Sequence, residues 1–246
     1  MNEYIVTVDL AKKRDFVALF VMKRTPVIVQ GSKSLRSPTR VVNFLDVVHI
    51  YKFLNIPYPQ VSRIICTRMG HTSLSNNADL LVDGTGVGAA VVDQMREDGL
   101  TPLSIITTGG GKVTEVHDQF GSTFGSPGDS RLHPVMSVKE YHVPKPDLIA
   151  AGQRILQQER VRVAPGVPWE AEFKAQMIGF KGQLNEGARI LKAEAEFERV
   201  HDDLVSCLLM GAWWFTREDV EEIPERPLPI SSQISRKGGY DPYDYM

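Results

Sequence analysis

The sequence predicts an α/β fold in which a mixed β-sheet, with an antiparallel meander first and parallel strands later, is flanked by helices. In the first part of the chain, β-branched runs are joined by short, turn-rich connections, which is typical of antiparallel neighbours. In the second part, strand-like and helix-like segments alternate, which favours parallel pairing. A content of 42% hydrophobic and 24% charged residues is that of a packed protein and excludes a disordered chain.

The elements of the first part are predicted from their apolar periodicity. Residues 4–10 (YIVTVDL) alternate as a half-buried strand does. Further strands are predicted over residues 16–22, 26–30 and 43–53, with a turn at 23–26 between the first two. A proline followed by apolar residues at helical spacing predicts a helix over residues 57–69.

The second part begins with a short apolar strand, residues 78–82, a DGTG turn and an amphipathic helix, residues 87–97. After a strand at 103–107, residues 108–142 are glycine-rich without a sustained period, which predicts a long loop. The later predicted elements are a helix at 145–159, a strand at 161–164, a helix at 168–178, a strand at 186–194 and a buried helix at 204–215. We expect one domain, residues 1–216, and an acidic, Pro-rich, poorly ordered tail, residues 217–246.

Charge is distributed unevenly along the chain. Residues 1–78 hold 11 Lys and Arg against 4 Asp and Glu, a balance of +7, and residues 79–246 hold 17 against 26, a balance of −9, which sum to −2. The basic part is equally consistent with phosphate contacts and with a sheet edge protected by cations. No apolar run approaches the roughly 20 residues that cross a bilayer, and the start lacks the features of a signal peptide, so we expect a cytosolic protein without a membrane partner.

Acidic residues occur where three predicted elements begin or end. Asp9 lies near the end of the first strand, Asp83 follows the strand at 78–82, and Asp202 and Asp203 open the last helix. Taken singly, these acids can end a strand, begin a turn or cap a helix. Together they can converge, because carboxylates at the ends of neighbouring strands meet at one edge of a sheet. Such a cluster selects hard cations, Mg²⁺ or Mn²⁺, and two ions about 4 Å apart support phosphodiester hydrolysis.

Four segments carry a resemblance to a known family: VDLAKKRDFVALFV, LLVDGTGVGAAVVDQM, VPKPDLIAAGQRIL and HDDLVSCLLMGAWW. In this order they resemble the nuclease domain of the large terminase subunit of tailed bacteriophages, which is ribonuclease H-like and similar to RuvC-type resolvases. The resemblance spans residues 3–216. It implies a divalent-metal-dependent endonuclease that cuts concatemeric viral DNA during head filling, in the host cytoplasm at the procapsid. The implied partners are double-stranded DNA, a packaging ATPase domain, and a portal or small terminase subunit.

The resemblance also implies roles for individual acids. Asp9, Asp83 and Asp203 match the catalytic carboxylates, and together with Asp202 they are the implied ligands of two Mg²⁺ or Mn²⁺ ions. Asp15 matches an auxiliary acid of some members.

Five further residues are candidates on their own chemistry. His201 precedes the acid pair and is placed to orient it, and Lys145 opens a helix from which it can touch the scissile phosphate. Each has an equally good structural reading, as a helix-start histidine and as an exposed lysine. The long loop, expected to border the DNA groove, supplies three candidate DNA contacts: Lys112, Arg131 and Lys139.

Other motifs are not expected to take part in catalysis. The only GK dipeptide, Gly111-Lys112, lacks the other residues of a Walker A motif, so ATP-driven translocation is expected of another domain or chain. In DGTGVG the small residues are expected to let a helix pack against a strand, and Cys66, Cys207, Trp213 and Trp214 are expected in the core. The alternatives left open are a RuvC-like resolvase or other ribonuclease H-like nuclease, an actin- or sugar-kinase-like phosphotransferase, and a non-catalytic packaging or assembly module.

Overall fold

A computed structural model describes residues 1–10, 16–29, 40–86, 88–120, 136–185 and 203–218. Within these ranges the strands are β1 (Tyr4–Asp9), β2 (Phe16–Val29), β3 (Arg40–Leu54), β4 (Ala78–Asp83), β5 (Leu103–Thr108), β6 (Thr114–Phe120), β7 (Met136–Pro144) and β8 (Val161–Val163). The helices are α1 (Tyr58–Met69), α2 (Gly88–Glu97), α3 (Lys145–Gln157), α4 (Glu170–Asn185) and α5 (Asp203–Glu218). All eight strands belong to one sheet with the order β6-β7-β5-β4-β1-β2-β3-β8, so the expectation of a mixed α/β sheet flanked by helices is confirmed.

The meander consists of three strands instead of four. β1 pairs antiparallel with β2, and β2 pairs antiparallel with β3 along its whole length. The prediction of separate strands at 16–22 and 26–30 is wrong, because β2 continues for 14 residues through Pro26. Beyond Lys23 the strand is no longer paired with β1, and a sheet tolerates proline where one side of a strand has no ladder partner.

The second part of the sheet is parallel around β4 and β5, as expected. β4 pairs in parallel with β1 and β5, and β5 pairs in parallel with β7. The prediction that residues 108–142 form one long loop is wrong, because β6 and β7 pair antiparallel from Thr114↔His142 to Phe120↔Met136. The segment TEVHDQF has too few apolar residues to show a period of two, and pairing with β7 is what makes it a strand. Residues 121–135 of the expected loop lie outside the described ranges.

Apolar layers cover both faces of the sheet. One face carries Ile5 and Phe20 and packs against α3, α4 and α5, while the other carries Val6 and Leu19 and packs against α1 and α2. α5 is apolar nearly all round and is buried, as predicted, with Trp213 and Trp214 in the core. The strand expected at 186–194 and the tail after residue 218 lie outside the described ranges. None of the described helices is long and apolar enough to span a bilayer.

Candidate active site

Two of the predicted acids end adjacent parallel strands of the sheet. Val8 of β1 is paired with Val82 of β4, and the next residue in each strand is Asp9 and Asp83. Asp203 is the first residue of α5, the helix that packs across β1 and β2. The fold thus brings Asp9, Asp83 and Asp203, which are far apart in the chain, to the same edge of the sheet.

The three carboxylates interact electrostatically. Burial raises the pKa of the Asp9 carboxyl well above its ordinary value, and the negative charges of Asp83 and then Asp203 raise this pKa further. Hydrogen bonds from the Ser206 hydroxyl and the Leu10 amide act in the opposite direction, because they favour the ionised form. Asp9 is therefore a carboxyl whose charge is disfavoured by its surroundings and by its acidic neighbours, and a nearby cation would relieve both effects.

Ser206 is a site residue that the sequence reasoning missed. It lies three residues after Asp203 in α5, so both side chains lie on the same side of the helix. The spacing within HDDLVS was the available signal, because a polar residue one turn into an otherwise apolar helix needs a hydrogen-bond partner. That partner is Asp9.

α5 is attached to the strands beneath it by reciprocal hydrogen bonds. The Thr7 hydroxyl donates to the Cys207 carbonyl oxygen at 3.0 Å, and the Cys207 thiol donates to carbonyl oxygens of Thr7 at 3.8 Å and Ala18 at 3.5 Å. A Cβ atom at Gly211 would lie 2.3 Å from Met22 Cε, so the helix approaches the sheet closely there. These contacts determine where Asp203 sits relative to Asp9.

Both cysteines are free. Cys207 is buried in the core, and burial followed by the nearby Asp9 charge raises the pKa of its thiol well above the ordinary value. Cys66, which was also expected in the core, is only partly buried. Because a thiol that stays protonated is a poor nucleophile, Cys207 is a packing residue and not a reactive one.

The turn after β4 orients Asp83. Its Oδ1 atom accepts a hydrogen bond of 2.8 Å from the Thr85 amide, and the Thr85 hydroxyl accepts one of 3.0 Å from the Thr107 amide of β5. A Cβ atom at Gly88 would lie 2.0 Å from the Asp83 carbonyl oxygen, and one at Gly84 would lie 2.2 Å from Ser104 Oγ. The interpretation of DGTGVG as a close-packing turn is thus confirmed, and Asp83 also has the turn-forming role that its position suggested.

The lysine candidates lie in different parts of the sheet. Lys145 begins α3 directly after β7, at the edge where the parallel strands end and where Asp83 is found. Lys112 is exposed in the connection that follows β5 from this edge. Lys139 instead lines a cavity of about 260 Å³ with Arg96 and Asp79, near the opposite ends of β4 and β5. The other candidates, Asp15, Arg131, His201 and Asp202, lie outside the described residues.

The donor set fits a hard divalent cation in its chemistry, because it consists of carboxylate oxygens, and the charges of Asp83 and Asp203 raise the pKa of Asp9. In its present geometry the set is open: among the residues that the structure describes, no group of three or more His, Cys, Asp or Glu side chains could hold a metal ion. Asp202 is not among these residues. Side-chain movement of the three acids, or a ligand from outside the described ranges, would be needed to surround an ion.

Comparison with known proteins assigns no family to the chain. No family model, curated protein or solved structure matches it. The structure itself defines a class, an α/β protein with a mixed sheet of eight strands and a carboxylate cluster where β1 and β4 end.

Proposed function

We propose that the chain is a divalent-metal-dependent DNA endonuclease that cuts concatemeric phage DNA during packaging, of the kind found in large terminase subunits. The observation that carries this proposal is that Asp9 and Asp83 follow the paired residues Val8 and Val82 at the ends of adjacent parallel strands, with Asp203 near enough to affect the pKa of Asp9. Three partly buried acids from separate elements are an arrangement that proteins use to bind cations for phosphodiester chemistry.

The sheet order supports the ribonuclease H-like part of this proposal. A ribonuclease H-like domain is expected to have an antiparallel meander followed by parallel strands, and the order β3-β2-β1-β4-β5 has this form. β1 lies at the centre of this arrangement, with the meander on one side and the parallel strands on the other. Asp9, the last residue of β1, therefore lies between the meander and the parallel strands.

In the proposed mechanism Asp9, Asp83 and Asp203 would hold two Mg²⁺ or Mn²⁺ ions, and Asp202 would be a further ligand. Such ions, when bound, would supply Lewis-acid chemistry for phosphodiester hydrolysis. The Ser206 hydroxyl and the Leu10 amide donate hydrogen bonds to the Asp9 carboxylate and would hold it in one orientation, and a bound cation would favour its ionised form. Lys145, at the same edge of the sheet, attracts the phosphate backbone, and His201 orients the acid pair.

The proposed biological setting follows from the same resemblance. Double-stranded DNA is the substrate, and a packaging ATPase domain together with a portal or small terminase subunit brings the DNA to the procapsid in the host cytoplasm. ATP hydrolysis is a partner's activity in this proposal, because the sequence of this chain has no Walker A motif.

A nicking assay on supercoiled plasmid tests the proposal, with Mg²⁺ or Mn²⁺ and an EDTA control. We expect metal-dependent cutting by the wild type and at least about a 100-fold loss in Asp9→Asn, since such groups each contribute several kcal/mol. Asp93→Asn is the matched control, because Asp93 is an exposed carboxylate on α2 whose bond is to Arg96 of the same helix. Binding of Mn²⁺, followed as a rise in the unfolding temperature of wild type but not of Asp9→Asn, is a readout independent of cutting.

The alternatives give different results in the same assay. A RuvC-like resolvase would prefer a branched junction over plasmid duplex with the same acids. An assembly module whose acids only form turns and caps would neither cut DNA nor gain stability from Mn²⁺. The hydrogen bond from the Thr85 amide to Asp83 is what a purely turn-forming role of Asp83 would require. Loss of cutting in Asp83→Asn with an unchanged unfolding temperature would assign Asp83 to catalysis, whereas a lowered unfolding temperature with cutting retained would assign it to the turn.

A further inference from the structure

Trp169 combines two features that are unusual for a large aromatic residue. Its side chain is 47% exposed, whereas Trp213 and Trp214 are buried. Its backbone has φ 62, in the left-handed region that disfavours residues with a branched or bulky side chain. Asparagine or glycine would adopt this conformation at lower cost, so the position is a strained one, and strain of this kind is concentrated at functional sites.

The indole belongs to a small patch formed by Phe16, Lys52, Leu54 and Trp169, here called the Trp169 patch. The Lys52 ammonium lies 3.5 Å from the centre of the Phe16 ring and 5.5 Å from the centre of the Trp169 ring. Glu172 of α4 accepts a hydrogen bond from this ammonium, and the lysine side chain is only 4% exposed. Leu54, directly paired with Phe16, is 50% exposed. The patch is therefore an apolar and aromatic surface, exposed at Leu54 and Trp169, that lies over the Lys52–Glu172 ion pair.

The Trp169 patch lies beside the carboxylate cluster. Asp9 is paired with Ala18, and Ala18 is paired with Lys52, so the three residues form one row across β1, β2 and β3. Residues directly opposite in antiparallel strands share a face of the sheet, and this is the face on which α4 and α5 pack. With neighbouring strands about 4.8 Å apart, Lys52 is about 10 Å from Asp9 along this row.

We propose that Trp169 stacks on an unpaired nucleobase of a DNA strand whose phosphate lies at Asp9. A flat, exposed indole can bind bases of any sequence, because every base has a π face. The Cα atom of Lys52 is about 10 Å from that of Asp9, and the Trp169 ring lies 5.5 Å from the Lys52 ammonium, so a few nucleotides of one strand would span the two positions. Bases inside a duplex are already stacked, and the substrate strand must therefore be frayed or distorted at this point. The inference rests on the proposed function, since it takes the strand at Asp9 as given.

Intrinsic fluorescence tests the stacking. The full chain in EDTA is titrated with oligothymidylate of about 12 nucleotides, a length within the usual site size for single strands, and with a duplex of the same length. We expect the single strand to quench emission from Trp169 and Trp169→Ala to bind it about tenfold more weakly or worse, because stacking of one base contributes about 1.4 kcal/mol or more. The duplex should bind without this quenching.

Three variants separate stacking from a structural role. Trp169→Phe keeps an aromatic face and should retain most of the affinity. Trp169→Asn tolerates the left-handed backbone, so it should keep the wild-type unfolding temperature and still bind weakly. Ile178→Ala removes another exposed apolar side chain, from α4, and should bind as wild type does.

Equal affinity of Trp169→Ala and wild type for the single strand would overturn the inference. A lower unfolding temperature in Trp169→Asn with unchanged affinity would show that the indole only covers the Lys52–Glu172 ion pair. If the wild type self-associates in solution and Trp169→Asn does not, the patch is a contact between two copies of the chain and the inference is overturned. Plasmid nicking is measured in parallel. Absence of nicking with quenching intact removes the proposed function alone, and nicking without any effect of Trp169 on binding removes the stacking alone.

Discussion

α2 packs against Asp83 at Gly88. The distances there determine how much unfolding free energy a Gly88→Ala substitution should cost. A Cβ atom there would lie 2.0 Å from the Asp83 carbonyl oxygen and 2.9 Å from its carbonyl carbon, whereas Cβ atoms essentially never come within 3.0 Å of another heavy atom. The added Cβ atom would therefore be about 1.0 Å too close to Asp83, and only backbone atoms of Gly88 and Asp83 could move to make room. Overpacking typically costs about 1–3 kcal/mol, and we expect Gly88→Ala to lose about 3 kcal/mol because no flexible side chain can move aside.

Gly179→Ala is the matched control for this substitution. Gly179 lies on the exposed side of α4, and a Cβ atom there meets nothing within 4 Å. The same change should therefore stabilise the protein by about 0.5–1 kcal/mol, the ordinary preference for Ala over Gly in a helix. Urea unfolding followed by circular dichroism measures both free energies. If Gly88→Ala unfolds at the same urea concentration as wild type while Gly179→Ala shows its gain, α2 does not approach Asp83 as closely as described and the reasoning is refuted.

Three further predictions concern charge. The folded-state pKa of Asp9 is raised, so the stability due to this group is present at low pH and is lost as pH rises through that pKa. Asp9→Asn should therefore be as stable as wild type or more stable at pH 7. The difference in unfolding free energy between the two proteins should grow as pH rises toward the folded-state pKa of Asp9. Burial, and then the Arg68 charge, lowers the pKa of His49 from 6.5 to about 4, so its contribution is lost as pH falls from about 6.5 through about 4; about 3 kcal/mol should disappear in urea unfolding of wild type over this range, but not in His49→Gln. Binding of duplex DNA should weaken steeply with salt, and Lys112→Gln should reduce the slope of log affinity against log salt by about one; an unchanged slope would remove this lysine from the DNA contacts.

The distribution of charge along the sequence does not indicate which charged side chains pair in the fold. Asp46 illustrates this: it is one acid in a basic stretch of sequence, yet its carboxylate is buried and accepts two hydrogen bonds from Arg162 of β8, at 2.6 and 2.8 Å, and one from Thr25. These bonds attach the edge strand β8 to the meander. The partner of Asp46 is 116 residues away, and no local pattern indicates it.

The sequence by itself determined the mixed α/β class, most of the strands and helices, and the position of the acids at element ends. This information is local, because the alternation of YIVTVDL and the apolar spacing in α5 are set by residues that are covalent neighbours. Where the local signal was weak or misleading, the prediction was wrong: Pro26 looked like a strand end, and the polar segment of β6 looked like a loop.

Only the tertiary structure decided how these elements meet. The Thr7 hydroxyl and the Cys207 carbonyl are 200 residues apart in sequence, and their hydrogen bond helps to determine where Asp203 lies relative to Asp9. The pKa of Asp9 depends on burial and on two charges from other elements, and Trp169 lies near Lys52 because α4 packs on the sheet. The physical reason is that registers, burial and through-space charge depend on strand pairing and helix packing across the whole chain, which the periodicity of one segment does not contain.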